Sequence, residues 1–238
     1  MKMVSLAKAL VFDVFGTTVD WRGSIIAEGN AWNRSHDATI DWHRFADAWR
    51  ARYRPSLDRV RRGEHPWTKL DVLHRESLEE LLKEFGVNDL TEEEKDHWNR
   101  VWHRLKPWPD AAPGLSRLKK NFIIAPLSNG NFSLLTEMAK HASLPWDAIL
   151  SVELVKRYKP DPQTYLMAAE LLDLKPDEVM LVAAHIADLE GGRAAGLRTA
   201  FVHRPLEYGV NDKADAARLG QFDFLAEDFN DLASQLGA

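Results

Sequence analysis

Six short apolar runs constrain the fold of this chain more than any other feature. Residues 9–12, 122–127, 179–184 and 199–202 read as buried parallel strands, and residues 148–152 and 222–225 as weaker ones. Helical segments at 133–142, 162–172 and 189–195 separate the later runs, the last of them closed by Gly196 as a C-terminal cap. Strand alternating with helix predicts right-handed βαβ units and a doubly wound, Rossmann-like α/β parallel sheet. Nearly all of these runs lie after residue 120, so the first strand is cut off from the others by a stretch of different character.

That stretch, residues 20–105, holds no convincing strand. Leu70, Leu73, Leu78, Leu81, Leu82 and Phe85 recur at helical spacing before Gly86. Thr91 and Glu94 have the capping-box spacing, starting a helix expected to run through Trp98, Val101 and Trp102. Residues 41–60, rich in Trp and Arg, predict a third helix. Pro107-Trp108-Pro109 and Ala112-Pro113-Gly114 read as punctuation where the α/β pattern returns. The expected organisation is an α/β core of residues 1–19 and 106–238, with a helical cap domain of residues 20–105 inserted after the first strand. Such a cap would sit over the carboxyl edge of the sheet, where α/β proteins build their sites. No internal repeat or low-complexity segment is present.

With 31 Lys+Arg against 36 Asp+Glu the formal net charge is −5, which offers no general reason to bind nucleic acid or an anionic membrane. The absence of cysteine excludes disulfides, thiolate metal sites and thiol nucleophiles. Residues 1–8 lack the apolar core of a signal peptide, and no apolar run reaches the ~18 residues that span a bilayer, so a soluble cytoplasmic protein is expected. Of nine tryptophans, seven (Trp21, Trp32, Trp42, Trp49, Trp67, Trp98, Trp102) precede residue 105.

The chain has no dinucleotide-binding, P-loop, nucleophile-elbow or zincin motif. It has Val11-Phe12-Asp13-Val14-Phe15-Gly16-Thr17-Thr18, an apolar strand ending in a carboxylate and a Gly-Thr turn. Alone, Asp13 reads equally as a turn cap. Later strand ends add Ser128-Asn129-Gly130, then Lys159-Pro160 followed by Tyr165, then His185 and Asp188. Four polar clusters at successive strand tips are a specific signal.

These four clusters and the helical insertion resemble the haloacid dehalogenase superfamily over essentially the full chain. Within it, phosphatases carry a second Asp two positions after the nucleophile and an acidic pair after the last motif strand. Here the first position is Phe15, and Ala183-Ala184-His185 precede a single Asp188, too few carboxylates for an octahedral Mg²⁺ site. An aromatic cannot protonate an alkoxide, and a halide needs no proton to leave. The chain is therefore similar to the 2-haloacid dehalogenases, a likeness strengthened by Trp49-Arg50 and by Lys159 with Tyr165 six residues on.

The resemblance implies hydrolysis of 2-haloalkanoic acids to 2-hydroxy acids with inversion, without a cofactor or metal. Asp13 would attack the carbon bearing the halogen, and water would hydrolyse the resulting ester. Lys159 would keep Asp13 ionised. Thr17 and Ser128 would orient the carboxylate, and Asp188 would position Lys159 and the water. The turn at Val14 and Phe15 would offer backbone amides to the substrate carboxylate. Arg50 and Asn129 would bind halide and carboxylate. His185 stands where the better-known enzymes have Asn, and Ala183 where they have Ser. His185 reads as catalytic or as a packed helix cap, and Tyr165 as a site residue or a helix-face aromatic.

Trp32, Trp42, Trp98 and Trp102 are expected in cap packing, whereas Trp49 and Trp67 are expected to wall the pocket. Such walls favour short substrates such as haloacetates, fluoroacetate included. Arg204 reads as a surface or loop residue, and the runs at 59–62 and 92–94 as solvated helix surface. His97, His103, His141 and His203 show no metal-ligand spacing. Two other readings stand beside this one: a magnesium phosphatase tolerating Phe15, and a non-catalytic binder of small carboxylates, which would gain nothing from two carboxylates in its site. The small-molecule substrate is the expected partner, and the family's frequent dimers suggest a homodimer.

Overall fold

The computed structural model describes residues 7–210, 214–218 and 220–238. Most of the N-terminal segment read for a signal peptide lies outside them. The strands are β1 (Ala9–Phe12), β2 (Val19–Asp20), β3 (Lys106–Pro107), β4 (Ile123–Ser128), β5 (Leu150–Ser151), β6 (Val179–Ala183), β7 (Arg198–Val202) and β8 (Phe224–Ala226). The helices are α1 (Trp21–His36), α2 (Trp42–Arg61), α3 (Leu70–Glu84), α4 (Glu92–Asn99), α5 (Ala111–Leu118), α6 (Phe132–His141), α7 (Pro162–Leu171), α8 (Ile186–Ala194) and α9 (Phe229–Gln235). Six strands form a parallel sheet in the order β5-β4-β1-β6-β7-β8. The chain moves outward from β1 through β4 to β5 and then crosses to β6, so the order reverses around β1. That reversal opens a crevice at the carboxyl ends of β1 and its neighbours.

The strands are buried on both faces. Leu10 and Phe12 of β1 point into one apolar cluster, and Ala9 and Val11 into the other, the period-two alternation of a strand. In register, Phe12 pairs with Pro126 and Val182, so the residues following β1, β4 and β6 emerge at one edge. Asp13, Asn129 and His185 all follow that edge.

Helices α1 to α4 lie between β2 and β3, which pair antiparallel through Val19 with Pro107 and Asp20 with Lys106. Their aromatic side chains pack together. Trp42 stacks on Trp98 at 4.4 Å between ring centres, Trp32 meets Trp98 edge-on at 5.7 Å, and Phe45 meets Phe85 at 5.0 Å. Thr91 and Glu94 form the reciprocal capping box at the start of α4.

Several local expectations give way to tertiary context. The α-helix from Thr91 ends at Asn99, and Arg100–His103 continue as a tighter 3-10 turn. Ala112-Pro113-Gly114 is no break: it lies inside α5, where Pro113 occupies the first turn and its missing N–H would find no intrahelical acceptor. Gly114 is required there because a Cβ would press on the Phe229 backbone of α9. Helix α8 starts at Ile186, ahead of the expected Leu189.

Arg204 is not the surface or loop residue its position suggests. It is buried, its guanidinium forking onto Asp110 at 2.7 and 2.8 Å while Nε donates to the Thr17 carbonyl at 2.8 Å. The loop after β7 folds back over the turn after β1, so a residue that looked peripheral anchors that turn. Among the described residues, no helix is long and apolar enough to cross a membrane.

Candidate active site

The turn after β1 sets the first group. Thr18 and Val19 donate backbone N–H bonds to the Val14 carbonyl, and the Thr18 hydroxyl donates to the Asp13 carbonyl at 2.8 Å. Gly16 adopts φ +88°, and a Cβ there would overlap the Glu207 carboxylate, so geometry and neighbour both call for glycine. Thr17 Oγ1 donates to Asp13 Oδ2 at 2.7 Å and accepts the Ala184 N–H at 2.9 Å, tying the tip of β1 to that of β6.

Lys159 comes from the loop before α7. Its Nζ lies 3.3 Å from Asp13 Oδ1 and 2.6 Å from Asp188 Oδ2, and Tyr165 donates to Asp188 Oδ1 at 2.7 Å. An ammonium thus sits between two carboxylates. Burial would raise the Asp13 carboxyl, but Lys159 and His185 more than offset it and hold it well below the usual carboxylate range. Burial would lower the Lys159 ammonium, yet Asp188 and Asp13 push it up. Asp188 is raised by burial and by the like charge of Asp13, against the pull of Lys159.

His185 opens α8 without capping it; its ring bridges two carboxylates. Nδ1 is 2.9 Å from Asp13 Oδ2, and Nε2 is 3.0 Å from both oxygens of Glu207. Both nitrogens face acceptors, so both are donors and the ring is an imidazolium. Although burial lowers it, Glu207 and Asp13 raise its pKa to about 10. Glu207, itself buried, also accepts from Trp21 Nε1 at 3.2 Å and lies 3.9 Å from Arg50 Nη2.

A cavity of about 580 Å³ opens above these groups, lined by Asp13, Phe15, Arg50, Tyr53, Asn129 and His185 among others. Arg50 reaches in from α2, its guanidinium 4.5 Å above the Tyr53 ring and 5.4 Å from the Trp21 ring. Its Nη1 is buried and has no hydrogen-bond partner among the described residues. Asn129 accepts the Lys159 backbone N–H at 2.9 Å and donates to the Tyr53 hydroxyl at 3.0 Å, bracing both. Beneath Phe15 lies an aromatic floor: Phe15 meets Trp102 edge-on at 5.7 Å, and His74 stacks on Trp102 at 4.2 Å. Burial pushes the His74 pKa down to about 3, and neither of its ring nitrogens nor Trp102 Nε1 has a hydrogen-bond partner among the described residues.

The structure brings together Asp13, Phe15, Thr17, Arg50, Asn129, Lys159, Tyr165, His185 and Asp188. Ser128 does not join them: its buried hydroxyl accepts the Gly130 N–H at 3.2 Å. The Val14 side chain is buried away from the cavity. Trp49 does not wall the pocket, because one residue along α2 turns the side chain about 100° away from Arg50. It is 1% exposed and donates to the His74 carbonyl at 3.2 Å. Trp67 packs on Tyr158 at 4.8 Å and borders a neighbouring cleft. The walls are Trp21, Tyr53 and Phe15 instead. Tyr53 had a legible signal, since Arg50, Tyr53, Arg54, Leu57 and Arg61 follow helical spacing along one cavity-lining stripe. Glu207 had none.

The magnesium that this fold family implies does not fit the donor set. Phe15 offers no oxygen where a second carboxylate would be needed, and both oxygens of Asp188 are engaged by Lys159 and Tyr165. Among the described residues no group of three or more acidic or imidazole side chains is placed to hold a metal.

A buried, ionised carboxylate at the tip of the first strand, fixed by an ammonium under a helical insertion, defines the carboxylate-centred class of doubly wound hydrolases. The family model for haloacid dehalogenase-like hydrolases matches residues 7–196, and the chain belongs to that family. It is 31% identical over 215 residues to (S)-2-haloacid dehalogenase 1 of Pseudomonas sp. (strain CBS-3), covering 84% of this chain and 88% of the relative. Among solved structures, an L-2-haloacid dehalogenase superposes with a TM-score of 0.94 at 49% identity, covering 97% of this chain and 99% of its own. A defluorinating L-2-haloacid dehalogenase does so at 0.94 and 48%, covering 98% and 96%.

Proposed function

We propose that this protein hydrolyses short 2-haloalkanoic acids to 2-hydroxy acids and halide, through an ester on Asp13 and without a metal. One observation carries the reading: the ionised Asp13 carboxylate faces the cavity with Phe15, which cannot act as an acid, where a phosphatase needs one. The names of the relatives support the same substrate class.

Asp13 Oδ1, which Lys159 contacts at 3.3 Å, attacks the α-carbon, and the carbon–halogen bond breaks with its electron pair on the halide. Arg50 Nη1 receives the halide, a buried donor stacked on Tyr53. The substrate carboxylate is held by the Val14 and Phe15 backbone N–H groups, which donate to no other group among the described residues, and by the second amide hydrogen of Asn129. Water activated beside Asp188 then attacks the Asp13 carboxyl carbon, so the configuration at the substrate carbon inverts once. Residues 20–105 act as the cap that carries Arg50 and Tyr53.

The aromatic enclosure of Arg50 by Trp21 and Tyr53 favours haloacetates, fluoroacetate included, over long-chain acids. A halide-release screen over fluoro-, chloro- and bromoacetate and both 2-chloropropionate enantiomers, with and without EDTA, tests the reading. Release indifferent to EDTA and strongest for the acetates and the (S)-acid is expected. EDTA-sensitive hydrolysis of phosphate esters without halide release would replace it with the phosphatase.

A further inference from the structure

Glu207 and His185 touch no substrate atom in the proposed substitution step, yet the His185 ring bridges Asp13 and Glu207. Asp13 Oδ2 receives two donors, Thr17 at 2.7 Å and His185 at 2.9 Å, while Oδ1 has, among the described residues, only Lys159 at 3.3 Å. If Oδ1 bonds to the substrate, as the proposed function has it, Oδ2 becomes the carbonyl oxygen of the ester. We propose that Thr17 Oγ1 and the His185 imidazolium are the oxyanion hole of ester hydrolysis, and that Glu207 is the positioning residue that keeps His185 charged and aimed at Oδ2.

The electron and proton count closes. Water attacks the Asp13 carboxyl carbon, giving one proton to Asp188, and the carbonyl electron pair moves onto Oδ2 between its two donors. Collapse restores the carbonyl and breaks the bond from the carboxyl carbon to Oδ1, which leaves on the product. Lys159, within reach of Oδ1, protonates that alkoxide and recovers a proton from Asp188. The remaining water proton leaves Asp13 for solvent, matching the one acid equivalent released with each halide.

Donors already placed around the oxygen that gains charge need no reorganisation during the reaction, which is why such holes are effective. His185 faces Asp13 and Glu207; Lys159 contacts Asp13 through its other oxygen and Asp188 beyond it, Arg50 and Tyr208 lie against Glu207, and Asp215 accepts the adjacent Ile186 N–H. Loss of the Asp13 charge on alkylation removes one of the two carboxylates that sustain the imidazolium. Glu207, held by Trp21 and Arg50, remains to sustain it.

Rapid-quench turnover of chloroacetate with mass detection of the protein tests this. Glu207→Gln is expected to keep a first-turnover burst of halide, accumulate the Asp13 ester, and slow steady turnover by about 10- to 100-fold. Its activity is also expected to fall off at lower pH than wild type, because the imidazolium is lost sooner. His185→Asn, a neutral donor needing no counter-charge, is expected to make Glu207→Gln nearly silent in the double variant. Separately from turnover, ¹⁵N shifts of His185 in the wild type are expected to remain those of an imidazolium to about pH 9. A neutral ring at pH 8, equal loss of burst and turnover, or an unmoved pH profile in Glu207→Gln would overturn the assignment. A wild type releasing no halide from any 2-haloacid would instead remove the proposed function on which it rests.

Discussion

The two sides of the cavity are built on opposite rules. On the sheet side, Asp13, Thr17, Lys159, Asp188, Tyr165 and His185 each meet a partner within 3.3 Å. On the helical side, Arg50 Nη1 and, in the layer beneath Phe15, both nitrogens of His74 and Trp102 Nε1 are buried without a partner among the described residues. Saturated hydrogen bonding fixes geometry, which suits the carboxylate that the proposed reaction uses in both of its steps. Of these, Arg50 alone lines the cavity, and an unpaired guanidinium N–H over an aromatic ring is a donor available to an anion. In the proposed reaction the sheet would supply the reacting atoms, and α2 the donor for the departing halide.

The largest effects are expected on the sheet side. Asp13→Asn should lower halide release by about three orders of magnitude or more, as loss of a nucleophile does, measured with chloroacetate. Undiminished release would remove Asp13 from the chemistry. Next comes the anchor beneath it: Arg204→Ala leaves the half-buried Asp110 without its forked partner and should destabilise the fold by about 2–3 kcal/mol in urea unfolding.

On the helical side the effects should be smaller. Arg50→Lys keeps a charge but loses the planar fork, so kcat/KM should fall by about 10- to 100-fold, with stronger inhibition by product halide in wild type than in the variant. Smallest is His74→Phe. Removing two buried, unpaired ring nitrogens should stabilise the protein by about 1 kcal/mol, visible as a raised urea midpoint; a lowered midpoint would show that His74 is paired after all.

What could be read ahead of the structure follows from range in the chain. β1, β4, β6 and β7 were legible to within a residue or so because a strand buried on both faces must be apolar throughout. Their polar tips were legible for the same reason, since a carboxylate ending such a run has to be explained. Helix α1 was not delimited, because Gly23, Gly29 and Asn30 interrupt its apolar pattern; Gly29 is there to let Trp42 pack against the helix. Trp49 misled because adjacency in sequence is not adjacency on a helix.

By itself, then, the sequence determined the α/β class, the helical insertion and the Asp13, Lys159 and Asp188 set, since burial and strand-end polarity are local and carry over into residue order. The tertiary structure decided that Glu207 clamps His185, that Arg204 anchors the first turn through Asp110, and that Tyr53 and Trp21 enclose Arg50. Each of those is a contact between segments far apart in the chain, with no periodicity of its own. Such a pair becomes visible once two loops fold to one sheet edge, because its energy lies in the distance between partners and not in either residue alone.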